Sequence, residues 1–465
     1  MNQKASSNTA LLWIVAVGFF MQSLDTTIVN TALPAIAHQL GASPLEMQAV
    51  IVGYTLTMAL LTPASGWLAD RFGTRTVYFT SILIFVLGSL ACANVHSVNQ
   101  LVIARVIQGI GGSMLLPIGR LAVLRRVSGD EYVAALAMIS IAGQVGPILG
   151  PTLGGWFAEA LSWHWVFLIN LPIGLAGMFA VRKFLQDDPL ATVEPFDFVG
   201  CGLLSMCMVA FSLGVDTPVS THRGVWAAGL IALSVASALA YIPYARARAH
   251  PLFNLSLFRE PNFSVGLIGN LVCRIGSSAV PFLLPLLFQL QLGYTPLHSG
   301  LMMLPAAIAG TFAKRWIAPL IKRYGYSTFL LVNTLIVGGS IIAFAVITDN
   351  TPIAVTFFVM AVFGASNSMQ FAAMNSVTLK NLPASEAGSG NSLFSMVQTL
   401  AIGLGVSISS GLVRVFSGSL DSTSDGFRIS FAIVGTITLL SAAVFRRIIE
   451  HPRSATPSAA SREVV

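Results

Sequence analysis

Runs of about 20 apolar residues recur along the whole chain. Each run is long enough to cross the hydrocarbon core of a bilayer, about 30 Å thick, as an α-helix. Composition agrees, because only 9% of the 465 residues are charged, against about 25% in soluble domains. Inside lipid a helix satisfies its own backbone hydrogen bonds. The chain is therefore predicted to be an all-α polytopic membrane protein.

Fourteen candidate spans follow from these runs. They cover about 11–34, 47–68, 76–95, 99–124, 133–158, 163–181, 197–216, 224–245, 262–290, 297–318, 327–347, 351–374, 386–412 and 428–449. Pro281, Pro285 and Pro305 predict kinks in the ninth and tenth spans. The four cysteines all fall inside spans, so four reduced, buried thiols are expected.

The distribution of Lys and Arg predicts the orientation. With the N-terminus in the cytoplasm, 19 of the 25 Lys and Arg residues fall on the cytoplasmic side, three fall outside, and Arg105, Arg120 and Arg274 lie within spans. This asymmetry follows the positive-inside rule along the whole chain. The formal charge of +7 is thus interpreted as a topology signal, with no nucleic-acid partner. Both termini are predicted to be cytoplasmic.

A weak internal repeat divides the chain. In "GWLADRFGTR" (66–75) and "APLIKRYGYS" (318–327), the leucine, arginine and glycine positions coincide, but Lys322 replaces Asp70. Parallel halves of this kind flank a central path in many secondary transporters. We predict an N-terminal six-helix half (1–185), two linker helices (186–258), a C-terminal six-helix half (259–450) and a disordered tail (451–465).

Five motifs carry a resemblance to a known family. The loop "GWLADRFGTR" is joined by "LDTTIVNTALPAI" (24–36), "LVIARVIQGIGG" (101–112), "GQVGPILGPTLGGW" (143–156) and "SWHWVFLINLPIG" (162–174). In this order they resemble the major facilitator superfamily and, within it, the fourteen-span drug:proton antiporters. The resemblance implies a major facilitator fold of 6 + 2 + 6 helices in a bacterial inner membrane.

Two of these motifs are predicted to form a conformational switch. The residues concerned are Gly66, Asp70, Arg71, Gly73, Arg75, Gly146, Pro147, Gly150, Pro151 and Gly154. Glycines spaced by four residues share one helix face and allow another backbone to approach closely, and the prolines favour a bend. Tight static packing is the alternative to a hinge. Asp70 is expected to cap a helix or pair with a cation; a turn that only sets topology is its alternative.

Asp25 is the candidate proton-coupling carboxylate. It lies about 14 residues inside the first span, or about 21 Å from the cytoplasmic end. An ionised Asp at this depth costs on the order of 3 kcal/mol, so it is expected to be neutral, paired or hydrated. Arg105, at similar depth, is the candidate partner. A permanent structural ion pair between them is the alternative to proton coupling.

Five side chains are the candidate substrate-binding set: Gln22, Arg105, Gln108, Asn270 and Arg274. Arg274 lies about 18 Å into the ninth span and has no obvious partner if Asp25 offsets Arg105. An unpaired guanidinium there would repel cationic drugs and hold a carboxylate. The alternative is that Arg274 hydrogen-bonds backbone carbonyls or snorkels along a kink. Trp163 and Trp165 are interpreted as anchors at the membrane surface.

These observations favour a secondary active exporter. The first hypothesis is a proton-coupled antiporter of the multidrug-efflux type. The second is a proton-coupled exporter of an organic anion, such as citrate or another carboxylate or its metal complex. A receptor or polytopic enzyme is disfavoured, because no constellation of nucleophile and base or of metal ligands is evident. Neither a cofactor nor a bound metal is expected, and the partners are substrate, protons and lipid around a monomer.

Overall fold

The protein is described by a computed structural model that covers residues 2–127, 130–186, 195–216, 223–248, 251–420 and 422–449. Every regular element within these ranges is helical, which confirms the all-α prediction. The predicted tail, 451–465, lies outside the described residues, as do 187–194, 217–222 and 249–250 of the predicted linker unit.

Eight α-helices form the first part of the bundle. They are α1 (Asn2–Gln39), α2 (Gln48–Leu61), α3 (Ser65–Phe72), α4 (Thr74–Cys92), α5 (Val98–Arg126), α6 (Asp130–Trp156), α7 (Trp165–Leu168) and α8 (Asn170–Phe184). A π-helical turn, Phe157–Leu161, extends α6. Helix α1 packs most extensively on α6, and α4 on α5.

Ten further α-helices follow within the described ranges. They are α9 (Phe198–Asp216), α10 (Arg223–Ala247), α11 (Pro261–Leu286), α12 (Pro296–Met302), α13 (Leu304–Ala313), α14 (Ile317–Tyr324), α15 (Tyr326–Ala343), α16 (Ile353–Leu379), α17 (Ala384–Leu420) and α18 (Thr423–Phe445). Helices α9 and α10 pack on each other, and α9 also contacts α2 and α17. Exposed Phe198 and Trp226 on this pair fit a surface that faces lipid.

Twelve helices in the described ranges are long and apolar enough to cross a membrane, so fourteen spans remains a prediction. The two predicted spans without such a helix are 133–158, where α6 lies, and 297–318. In the latter the chain is divided into α12 and α13 at Met303, and Pro305 occupies the first turn of α13. Proline cannot donate the backbone hydrogen bond that would continue the helix, which explains the break. Met303 itself keeps helical dihedral angles, φ −83° and ψ −14°, and the predicted kink stays a prediction.

The internal repeat is visible in the backbone. Short helices α3 and α14 each end at a glycine, Gly73 with φ 82° and Gly325 with φ 79°. Positive φ costs little only for glycine, which explains why both repeats keep it.

We call the end of the bundle that carries Arg71, Arg126 and Arg323 the basic end, and the other the opposite end.

The first eight helices meet the later helices at the opposite end. Leu24 of α1, Phe282 of α11 and Phe431 of α18 belong to one buried apolar cluster. Gln289 Nε2 donates to Thr31 O at 2.9 Å, and Ser410 Oγ donates to Leu45 O at 2.9 Å. The bundle is therefore closed at its opposite end, while a cavity lies between α5 and α17 at its basic end, beside α2, which packs on α17.

Candidate functional site

A buried polar network surrounds Asp25. Arg105 Nη1 donates to Asp25 Oδ2 at 2.7 Å. Gln108 Nε2 and Asn170 Nδ2 donate to Asp25 Oδ1 at 2.7 and 3.0 Å. Asp25 is 0% and Arg105 1% exposed, so both charges are removed from solvent. The structure thus brings together the three residues predicted from α1 and α5 and adds Asn170 from α8.

Arg105 has partners besides the carboxylate. Its Nη1 also donates to Gln108 Oε1 at 2.7 Å, and its Cζ lies 4.0 Å from the centroid of the Tyr54 ring. A buried guanidinium gains stability from a carboxylate only when its other donors are also satisfied. Besides the bonds of Nη1, Arg105 Nε donates to Val50 O at 3.5 Å, so protein groups satisfy several donors of the buried guanidinium. It joins α1, α2, α5 and α8 at one point.

Sequence reasoning missed two members of the network. Asn170 and Ser89 are both 0% exposed, and Ser89 Oγ accepts from Gln108 Nε2 at 2.8 Å and from Asn170 Nδ2 at 3.2 Å. Asn170 lies in the motif "INLPIG" within an apolar span, and an amide in that setting was the available signal. Ser89 carried no such signal, because serine is common in membrane helices.

Gln22 lies outside this network and lines the cavity at the basic end. This cavity, of about 830 Å³, is bounded by α2, α5 and α17. Gln22 is 7% exposed, and its Oε1 has no hydrogen-bond partner among the described residues. Gln398 of α17 faces the same cavity, and its Nε2 is likewise without a partner there. Two buried amide atoms without a partner among the described residues therefore face the cavity, one from α1 and one from α17.

Arg274 lines a second cavity, of about 280 Å³, between α1, α6, α11, α13 and α16; we call it the central cavity. Its Nε has no hydrogen-bond partner among the described residues. The guanidinium instead stacks on an aromatic ring, with Cζ 4.3 Å from the centroid of Phe371. Lys314 lines the same cavity. The charged side chains of the described lining are therefore two cations.

Asn270 lies one helical turn before Arg274 and is fully buried. Neither atom of its amide has a hydrogen-bond partner among the described residues. A buried unpaired amide costs about 1–3 kcal/mol. The five candidate substrate-binding residues thus do not lie at one site: two belong to the Asp25 network, two line separate cavities, and Asn270 is buried. Their role in substrate binding stays a prediction.

Asp70 pairs with Arg125, which lies in the last turn of α5. Arg125 Nη2 donates to Asp70 Oδ1, and its Nη1 donates to Thr74 Oγ1 at 2.8 Å. Arg75 Nη2 donates to Arg182 O at 2.8 Å, and Arg71 stacks near Trp67. This cluster links α3, α4, α5 and α8 at the basic end. It matches the expected pairing with a cation from a neighbouring span.

Gly66, the first residue of the same motif, lies outside this cluster of ion pairs and hydrogen bonds. It lines the cavity at the basic end, and a Cβ atom there would meet nothing within 4 Å. Packing therefore does not require glycine at this position. Its predicted role in the switch stays a prediction.

The glycine face of α6 contacts α1 closely. A Cβ atom at Gly146, Gly150 or Gly154 would lie 2.6, 2.2 or 2.1 Å from an atom of α1, which no side chain tolerates. Any larger residue would separate the two helices, as the spacing predicts.

Hydroxyl groups of α1 bond to carbonyls of α6, and one of these carbonyls is left free by a proline. Pro147 has no N–H to donate to Gly143 O, and Ser23 Oγ donates to that oxygen at 2.6 Å. Thr31 Oγ1 donates to Pro151 O at 3.0 Å. The α1–α6 contact is therefore held by hydroxyl groups as well as by close packing.

Comparison with known proteins places the chain in a family. The family model of the Major Facilitator Superfamily matches residues 15–406. The chain belongs to the major facilitator superfamily. A member from Klebsiella pneumoniae strain 342, named "Putative multidrug resistance protein MdtD", is 44% identical over 451 residues, which cover 94% of each chain. A protein of the same name from Cronobacter sakazakii is 45% identical over 94% of each chain.

Solved structures share the superfamily fold. The structure of an auto-inhibited POT family peptide transporter superposes with a TM-score of 0.72 at 16% identity, covering 97% of this chain and 99% of that one. The nucleoside transporter NupG gives 0.68 at 15% identity, covering 96% and 100%. At such identities the likeness shows the fold alone. Together with the sequence relatives, it makes this chain a multi-pass transport protein and not an enzyme.

Proposed function

We propose that the protein is a proton-coupled antiporter of the multidrug-efflux type in the inner membrane of a bacterium. The name of the MdtD relatives supports the substrate class. The observation that carries proton coupling is the buried Asp25, held at mid-span by Arg105, Gln108 and Asn170. A carboxylate in this setting exchanges a proton only when its partners move, so its protonation is coupled to conformation.

The proposed topology has fourteen spans, a cytoplasmic basic end and both termini in the cytoplasm. The two six-helix halves and the two linker helices move around the cavities in a single chain that acts as a monomer. In the described conformation, the cavity at the basic end admits substrate from the cytoplasm. Export then requires the contacts at the opposite end to separate.

Transport in proteoliposomes tests this function. An imposed proton gradient, without nucleotide, is expected to drive accumulation of substrate, because 100 mV supplies about 2.3 kcal/mol per elementary charge. A protonophore should abolish it. Accumulation that survives the protonophore, or that requires ATP, would exclude a proton antiporter.

The second candidate is a proton-coupled exporter of an organic anion, such as a di- or tricarboxylate or its metal complex. It is supported by the charges around the central cavity, where the described lining contains Arg274 and Lys314 and no carboxylate. Cations are repelled from such a path, and a carboxylate can accept two hydrogen bonds from one guanidinium. A screen that pairs cationic dyes with carboxylates distinguishes the two candidates.

A further inference from the structure

The cavity at the basic end contains two amide side chains whose hydrogen-bonding capacity is not used up within the protein. Gln22 of α1 and Gln398 of α17 both line it, and we call these two side chains the amide pair. Gln22 Oε1 and Gln398 Nε2 are buried and have no hydrogen-bond partner among the described residues. A buried amide atom without a partner costs free energy, so a ligand that supplies both partners gains affinity.

The Gln22 side chain is held close to the wall of the cavity. It is 7% exposed, and its Nε2 donates to Met58 Sδ at 4.0 Å. A thioether sulfur is a weak acceptor, so this contact orients the amide without competing strongly for it. Its Oε1 therefore remains an acceptor for a donor on a ligand.

Hydroxyl groups of the described lining add further acceptors. Thr62 Oγ1 donates to Met58 O at 2.7 Å, Ser113 Oγ to Ile110 O at 2.7 Å, and Thr399 Oγ1 to Ser395 O at 2.9 Å. Each hydroxyl thus gives its proton to a backbone carbonyl, and its oxygen retains lone pairs that can accept.

The size and the apolar part of the lining fit an amphipathic molecule. The volume of about 830 Å³ lies in the range of cavities that hold drug-sized ligands. Leu116, Ile118 and Leu121 of α5 contribute apolar surface beside the polar groups. An apolar body with one polar group can therefore satisfy both parts of the lining.

The chemistry of the amide pair selects the polar group. An ammonium group can donate to Gln22 Oε1 but cannot accept from Gln398 Nε2. A carboxylate can accept from Gln398 Nε2 but cannot donate to Gln22 Oε1. An uncharged carboxamide does both, because it carries an N–H beside a carbonyl oxygen.

We propose that the amide pair recognises an uncharged carboxamide group on an amphipathic substrate. The ligand N–H donates to Gln22 Oε1, and the ligand carbonyl accepts from Gln398 Nε2. This proposal rests on the multidrug function proposed above and names the polar group that the cavity selects. Buried polar groups reject an analogue that lacks the matching group, since they are then left unpaired.

The position of Gln22 connects this site to the proposed proton site. Asp25 lies three residues later on α1, about 4.5 Å along the helix axis. Residues at this spacing are neighbours on one helix face. A substrate held by the amide pair therefore contacts α17 and the turn of α1 that leads to Asp25.

Equilibrium binding to the full chain in nanodiscs tests the proposal. The probes are naphthalene-2-carboxamide and methyl naphthalene-2-carboxylate, titrated by calorimetry against a blank of empty discs. The ester keeps the ring and the carbonyl but has no N–H. The wild type is expected to bind the amide about three- to ten-fold more tightly than the ester.

Two variants separate the roles of the amide pair. Gln22→Met should lower the affinity for the amide to that for the ester and leave the ester unchanged. Gln398→Met should weaken both probes about equally, because both carry the carbonyl. The matched control, Gln291→Met, lies at the opposite end outside this cavity and should change neither affinity.

Equal affinity of the wild type for amide and ester, or no binding of either, would overturn the proposal. Equal weakening of both probes by Gln22→Met would also overturn it, because altered packing would then suffice. If Gln22→Met fails to fold, N,N-dimethylnaphthalene-2-carboxamide is titrated against the wild type. Affinity equal to that of the unsubstituted amide would contradict the proposal, and weaker affinity would support it.

This binding assay needs no proton gradient, so its outcome is distinct from that of the transport test. Preference for the amide in a protein that fails to couple protons would retain the binding site and exclude the antiporter. Accumulation driven by the gradient without that preference would retain the antiporter and exclude the role of the amide pair.

Discussion

At the scale of single residues, Asp25 is explained by its partners. An isolated carboxylate in hydrocarbon would neutralise itself or destabilise the helix. Here three donors from α5 and α8 reach its two oxygens. Breaking a buried ion pair by removing one partner costs about 3–5 kcal/mol, because it leaves an unpaired buried charge, so loss of stability in a single variant does not separate proton coupling from a structural pair. Proton coupling and a structural ion pair predict different transport activity for a variant in which both charges are removed.

Asp25→Asn is expected to abolish accumulation driven by the proton gradient, while the variant still inserts and binds ligand. Asparagine preserves the shape of the side chain but cannot take up the coupled proton. Accumulation is measured in proteoliposomes, and Asp349→Asn, at an exposed position, is the matched control.

The double variant Asp25→Asn/Arg105→Gln separates coupling from structure. It should recover stability, because no charge remains unpaired, and should still fail to accumulate substrate. If the double variant transports at the wild-type level, the pair is structural and Asp25 does not couple protons.

Arg274→Gln is expected to weaken export of a carboxylate and to spare export of a neutral drug. The Arg274 Nε has no hydrogen-bond partner among the described residues, and glutamine removes the charge while retaining a donor. Removing one charged hydrogen bond costs about 1.5–3 kcal/mol, or roughly a ten- to hundred-fold loss of anion affinity. Unchanged carboxylate export, or strong resistance of wild-type cells to cationic dyes, would rule out the anion exporter.

At the scale of elements, the contact between α1 and α6 depends on glycine and proline residues of α6. Glycine has no Cβ atom, which lets the backbones approach, and Pro147 has no N–H, which leaves a carbonyl for Ser23. Hydroxyl bonds of this kind can exchange between neighbouring carbonyls when a helix bends. This supports the predicted hinge, although the same contacts are also consistent with static packing.

Gly150→Leu is expected to lower the maximal transport rate more than it lowers folding at a permissive temperature. Its Cβ would lie 2.2 Å from Thr27 Oγ1, so α1 and α6 must separate and one conformation becomes favoured. Gly202→Leu on α9 is the control, because a Cβ atom there meets nothing within 4 Å. A normal maximal rate at normal expression would contradict the hinge.

At the scale of the whole molecule, closure of the opposite end includes a contact made by an exposed carboxylate. Glu159, after α6, accepts a hydrogen bond from Leu297 N of α12 at 3.0 Å. Hydrogen bonds from the Thr295 side chain and from Leu297 N hold the pKa of Glu159 below its ordinary value. The contact therefore stabilises the closed state above the ordinary carboxyl pKa, near 4.3. That stabilisation is lost as the pH falls through the lowered pKa.

Glu159→Gln is expected to open the opposite end at neutral pH, and acidification of the wild type below about pH 4 should act in the same direction. Distances between spin labels at Ser43→Cys and Asn350→Cys report this opening. Asp425→Asn removes a carboxylate that pairs with Arg428 near the start of α18 and should leave the distances unchanged. Identical distances in Glu159→Gln and wild type would show that this contact does not hold the end closed.

Residue patterns alone were enough to predict the membrane class, most of the helices, the repeat and the pairing of Asp25 with Arg105. Hydropathy is a property of short segments, and a carboxylate and a guanidinium at one depth in apolar helices attract each other strongly. The fourteen spans, the two halves and the roles of the site residues remain predictions.

The faces on which the helices contact each other could be identified only from the packed bundle. Asn170 bonds to Asp25 across 145 residues of chain, and Gln22 and Arg274 line separate cavities. Trp165 is exposed, as expected of a surface anchor. The interpretation of Trp163 was wrong, because it is 3% exposed and its Nε1 donates to Gln39. Such contacts depend on how rotated and tilted helices pack, and local patterns of polarity carry no information about that packing.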